Sequence, residues 1–179
     1  MRCARWIFSW LICVLLVGCG DSATQTPVNL NFTLSSPAFV HENAIPPQYT
    51  CDGNNLSPAL EWSEPPAGTQ SLALIVDDPD APAGTWVHWV VYNIPPDARG
   101  FAEAYSAGPD DGSRNGKNSS RNLGYDGPCP PSGTHRYFFK LYALDTLLDL
   151  DSGATAAQLL KAVEGHVLAQ AELMGTYAR

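Results

Sequence analysis

The chain has 179 residues, of which 45% are hydrophobic, 10% aromatic and 16% charged, with 15 glycines and 15 prolines. That balance excludes a disordered polar chain and predicts one compact domain. Ten Lys and Arg against eighteen Asp and Glu give a net charge of −8, which argues against nucleic acid as a partner, because phosphate neutralisation needs a basic face.

Residues 1–18 read as a segment removed on export: Arg2 and Arg5, an apolar run from Trp6 to Val17 interrupted only by Ser9, then Gly18. The run has 12 residues, short of the ~20 that a single spanning helix needs. An uncleaved N-terminal anchor is the alternative. Leu16-Val17-Gly18-Cys19 resembles the lipobox of bacterial lipoproteins, which implies that Cys19 becomes the lipid-carrying N-terminus and ties the protein to a membrane of the cell envelope. Residues 20–28 then form a short polar tether, and residues 29–179 the folded domain. Cleavage would leave 161 of the 179 residues and, with Arg2 and Arg5 gone, a net charge of −10. Any anion must then be held locally, in a pocket.

Loss of Cys3 and Cys13 with the leader, and lipid on Cys19, leave Cys51 and Cys129. Two thiols in an exported protein predict a disulfide. Two unpaired cysteines are the alternative, since sequence does not show that their α-carbons approach. A metal pair ranks lower, because no CxxC spacing occurs.

In chain order, Val28, Leu30, Phe32 and Leu34 alternate with polar residues, the period of a strand with one face on a core. Residues 71–76 (SLALIV), 86–94 (WVHWVVYNI) and 136–144 (RYFFKLYAL) are rich in β-branched and aromatic residues and predict central strands. The stretch between Asn93 and His135 is rich in Gly, Pro, Asn and Ser, too long for an idle turn, and so a candidate functional loop. Thr155 with Gln158 three residues on is a capping-box pattern that opens a helix over Leu159, Leu160 and Val163, stopped by Gly165. Residues 167–174 alternate again and predict a last strand. No repeat or heptad is present.

Asp77, Asp78 and Asp80 cluster in a Pro-rich exit from an apolar strand, where proline fixes the backbone and can aim a carboxylate. Strand alternation puts His88 on one face with Trp86, Val90 and Tyr92. In Gly124-Tyr125-Asp126-Gly127-Pro128-Cys129-Pro130-Pro131-Ser132-Gly133-Thr134-His135-Arg136-Tyr137, a rigid loop enters a strand, and Gly127 would let backbone approach a ligand. His135 and Tyr137 share a face if the strand has begun at His135. Each also has a plain structural reading, as turn carboxylate, core histidine or core aromatic. GxSxG, Walker, GxGxxG and HExxH motifs are absent.

Together, Asn55-Leu56-Ser57-Pro58-Ala59-Leu60-Glu61-Trp62, Asp78-Pro79-Asp80-Ala81-Pro82, His88, Gly127-Pro128 and His135-Arg136-Tyr137 resemble the phosphatidylethanolamine-binding protein family, in its bacterial Raf-kinase-inhibitor-like branch. The resemblance runs from about Phe32 to Tyr177. It implies a mainly β protein, an antiparallel β-sandwich with a few peripheral helices, including one near the C-terminus. It also implies a small anion pocket formed by Asp78, Pro79, His88, Gly127, His135 and Tyr137, with Trp86 in the wall. The kinase-regulating role of animal members is not carried over to a lipid-anchored protein outside the cytoplasm.

Since a carboxylate facing a phosphate repels it, Asp78 must be protonated, share a proton or pair with an imidazolium supplied by His88 or His135. The expected ligand is a phosphorylated head group or similar small anion, bound by the Gly127 backbone N–H and the Tyr137 hydroxyl as neutral donors. No activated nucleophile is evident, so the expectation is binding without catalysis, with no cofactor and no resident metal. The alternatives are an inhibitor or regulator of an envelope protease or other protein partner, and a weak metal-dependent hydrolase using Asp78, Asp80, His88 and His135.

Overall fold

A computed structural model describes residues 31–108 and 110–179. The leader, Cys19, the tether, and Val28 and Leu30 of the first predicted strand lie outside these residues. Among these residues eight strands form two antiparallel sheets. The smaller has the order β1 (Leu34–Ser35), β2 (Leu60–Trp62), β5 (Gly100–Phe101). The larger has the order β6 (Arg114–Asn115), β4 (Trp86–Ile94), β3 (Ser71–Asp78), β7 (Thr134–Leu144), β8 (Val167–Ala178). Among the described residues no helix is long and apolar enough to cross a membrane.

β3 is buried along its whole length because both faces of the large sheet are covered. Leu72, Leu74 and Val76 point into the space between the sheets, with Trp89, Val91, Phe139 and Leu141 from the neighbouring strands and Leu34, Leu60, Trp62 and Phe101 from the small sheet. Ala73 and Ile75 point the other way, into a second core with Val90, Tyr92, Tyr142 and Leu144 that is closed by Leu159 of the helix and its C-cap residue Val163. Each large apolar side chain so buried contributes about 1.5–3 kcal/mol. The helix α1 (Ala156–Ala162) opens on the expected capping box: Thr155 Oγ1 accepts from the Gln158 amide and the Gln158 side chain accepts from the Thr155 amide.

The four long predicted strands form the large sheet, and β7 has begun by His135, so His135 and Tyr137 share a face. Alternation fails at one functional point. Val76 pairs with Trp89, but Asp77 pairs with Val87, so His88 is an extra residue in β4. This bulge takes Trp86 and His88 off the face of Val90 and Tyr92, where strict alternation places them, and turns them toward Asp78 and Tyr137. The small sheet escapes a periodicity reading, since its strands have two or three residues.

Candidate functional site: a cavity at the end of the large sheet

Where β3 ends, β4 begins and β7 begins, the loop ends meet around a cavity of about 420 Å³. Asp78, Trp86, His88 and His135 line it from the strands, Ala81 and Pro82 from the β3–β4 turn, Cys51 and Asn55 from the loop before β2, and Ser120, Asp126, Gly127, Cys129, Pro130 and Pro131 from the long loop before β7. None of these is Lys or Arg. Asp78, His88 and His135 are 3%, 5% and 7% exposed, and buried polar groups need partners.

Asp78 finds two. One carboxylate oxygen accepts the Asp80 amide at 2.8 Å, an Asx turn that bends the chain out of β3, and the other meets His135 Nδ1 at 2.7 Å. As an ion pair the two side chains are together neutral, which removes the repulsion a bare carboxylate would direct at an anion. His135 Nε2 is then left as a donor. The neighbouring acids are drawn elsewhere. Asp77 binds Lys140 Nζ at 2.6 Å. Asp80 accepts from Arg136 Nε and Nη2 at 2.9 and 2.6 Å, which holds its carboxyl down at about 2. Asp80 therefore does not join Asp78, His88 and His135, and among the described residues no cluster of three metal-ligating side chains exists. The four residues considered for a hydrolase metal do not fit one.

His88 differs from His135. Its Nδ1 lies 2.7 Å from the Asp126 carbonyl oxygen, an acceptor only, so Nδ1 carries the proton. Nε2 is buried and has no partner. Burial pushes the imidazole below the usual histidine range, against the opposing pull of the Asp126 carbonyl and the Asp78 and Asp126 charges. The neutral ring thus presents a lone pair. The imidazole that meets the Asp78 carboxylate is that of His135, not His88.

Tyr137, Pro79 and Gly127 stand differently around the cavity. Tyr137 is fully buried beneath His88, with ring centroids 5.2 Å apart, and does not line the cavity. Its hydroxyl lies beside the Asp78 carboxylate without a well-formed hydrogen bond, and burial and that charge raise its pKa, keeping a neutral phenol under the site. Pro79 is exposed on the turn and is absent from the wall. Gly127 lines the wall, but its N–H already donates to Asn55 Oδ1 at 2.7 Å, so it is no free donor for a ligand. A Cβ there would lie 2.4 Å from the Tyr49 carbonyl oxygen and 2.8 Å from Thr50 Cα. Glycine is needed because two backbones touch.

Sequence reasoning did not single out Asn55 as a site residue, yet it carried a signal. It takes φ 55°, a left-handed conformation that Asn tolerates better than most residues. A disulfide joins Cys51 to Cys129, with α-carbons 5.4 Å apart, and both residues line the cavity.

A sequence profile described as phosphatidylethanolamine-binding protein matches residues 35–178. A UPF0098 protein of Methanothermobacter thermautotrophicus is 56% identical over 151 residues, covering 82% of this chain and 98% of its own. A solved structure from Chlamydia trachomatis, described as a candidate phosphatidylethanolamine-binding protein homologue, superposes with a TM-score of 0.78 at 43% identity, covering 83% of this chain and 97% of its own. A Mycobacterium tuberculosis protein named as a candidate lipoprotein is 42% identical over 159 residues, covering 88% of this chain and 77% of its own. With the profile spanning most of the chain and the sandwich shared with the Chlamydia structure, this protein belongs to the phosphatidylethanolamine-binding protein family.

Proposed function

We propose that the cavity binds one small phosphorylated head group or similar anion, without catalysis, and that lipid on Cys19 holds the protein at the cell envelope. The observation that carries the ligand is the buried, unpartnered Nε2 of His88. A neutral imidazole with its proton on Nδ1 accepts at Nε2, so it suits an anion that brings its own proton, the P–OH of a phosphate monoester monoanion. His135, charged against Asp78, donates to an unprotonated oxygen of the same group. A phosphodiester has no P–OH, so a monoester head group fits better than an intact lipid. The apolar walls of Trp86, Pro82, Pro130 and Pro131 suit the organic part of such a ligand. The mycobacterial relative supports the envelope reading.

Few atoms make contact, so affinity should lie roughly in the micromolar to millimolar range. Titration calorimetry with phosphorylethanolamine and with inorganic phosphate tests the reading. His88→Ala should weaken binding by roughly tenfold to a hundredfold, as expected for a hydrogen bond to a charged group. Unchanged affinity in that variant would remove the cavity from the function. For the anchor, intact-mass analysis should find lipid on Cys19, and a Cys19→Ser protein that still fractionates wholly with membranes would refute it.

A further inference from the structure

The Cys51–Cys129 disulfide is not buried in a core: both cysteines are exposed, and both form the wall of the cavity. Its two sulfurs are not equivalent. Arg179 Nη1 approaches Cys129 Sγ at 3.4 Å, while Nη2 of the same guanidinium holds Asp52 Oδ1 at 3.0 Å. The C-terminus is fixed there by paired backbone hydrogen bonds between Arg179 and Gly133. A cation beside a sulfur favours its thiolate, and a better-stabilised thiolate leaves faster in thiol exchange.

We propose that Cys51–Cys129 is a thiol-exchange site for a dithiol reductant, with Cys51 the sulfur attacked and Cys129 the sulfur that leaves. The incoming thiolate bonds to Cys51 Sγ, the Cys51–Cys129 bond breaks, and Cys129 departs as a thiolate beside Arg179. The second thiol of the reductant, deprotonated, then attacks its own sulfur in the mixed disulfide and releases Cys51 as a thiolate. Two electrons pass to the protein and the dithiol becomes a disulfide. The net charge of −8 selects against strongly anionic thiols.

The fold survives the exchange because the loop keeps its other ties. The Cys51 amide donates to the Pro128 carbonyl at 3.1 Å, the Gly127 amide to Asn55, and Tyr125 Oη to the Tyr49 carbonyl at 2.8 Å. Reduction therefore removes the crosslink from the wall while the Gly127 and Pro128 ties stay in place. This inference is independent of what the cavity binds.

Three readouts on the full-length protein test it. After brief treatment with 2-mercaptoethanol and alkylation, peptide mapping should place the mercaptoethanol adduct on Cys51 and the alkyl group on Cys129. The reverse placement, or an even split, overturns the proposal. Arg179→Gln should slow reduction by dithiothreitol by roughly two- to fivefold through the poorer leaving group, and an unchanged rate overturns it. Near-ultraviolet circular dichroism of the reduced protein should keep its native tertiary signal. Loss of that signal would make the bond a structural crosslink and end the proposal.

Discussion

From Leu72 to Val76, β3 carries only apolar side chains and its neighbours match them, with Trp89 and Val91 on one side and Phe139 and Leu141 on the other. One residue later the same strand carries Asp77 and Asp78, and the flanking strands supply His88, His135 and Lys140. The middle of the sheet is specified by volume and the end by hydrogen-bond partners. Where one gives way to the other, an extra residue, His88, shifts the register of β4, a second shift beyond the one between Leu72 and Leu74. The comparison teaches that the site is built by interrupting the sheet, and that the apolar middle supplies the stability the polar end does not.

The largest expected effect on stability therefore lies in the apolar middle of the sheet. Phe139→Ala, at a fully buried position, should cost about 3–5 kcal/mol in chemical denaturation, whereas His88→Ala should cost much less stability and mainly affinity. Equal stability losses at the two positions would erase the distinction. Gly127→Ala tests the cavity wall itself. With backbone atoms closer than 3 Å to the new Cβ, the Tyr49–Thr50 segment must shift, a loss of about 1–3 kcal/mol measurable in the same way. A neutral result would mean that the two loops are not in backbone contact.

A smaller effect comes from pH. Burial lowers the His88 pKa in the folded protein, while the unfolded chain titrates near ~6.5. The unfolded state thus binds the extra proton, and stability present above ~6.5 is lost as pH falls, by at most about 1.4 kcal/mol per unit. The difference between wild type and His88→Gln in urea midpoints at pH 7.5 and 5.5 isolates that contribution. Parallel behaviour of the two proteins would show that the histidine is not buried neutral.

Much of this was legible in the chain, and for unequal reasons. The four long strands announce themselves through alternation and β-branched runs, and the helix through Thr155 and Gln158. The two- and three-residue strands of the small sheet contain too few residues for any period. Asp78, His88, Gly127 and His135 could be named from motif resemblance, but their roles could not. That Asp80 goes to Arg136, that the Gly127 amide goes to Asn55, and that Tyr137 lies beneath the site depend on contacts between residues roughly 50 or more positions apart. The bulge at His88 was hidden because strict alternation is the default for a strand, and nothing in WVHWVVYNI marks the extra residue.

The central claim is that neutral His88 accepts a hydrogen bond from the P–OH of the ligand, and the affinity of phosphorylethanolamine at two pH values tests it most directly. The second phosphate proton leaves near pH ~6, so the monoanion prevails at pH 5.5 and is scarce at pH 8. Calorimetry should show binding at pH 5.5 that weakens by about tenfold or more at pH 8. Equal affinity at the two values, or tighter binding at pH 8, would contradict the account.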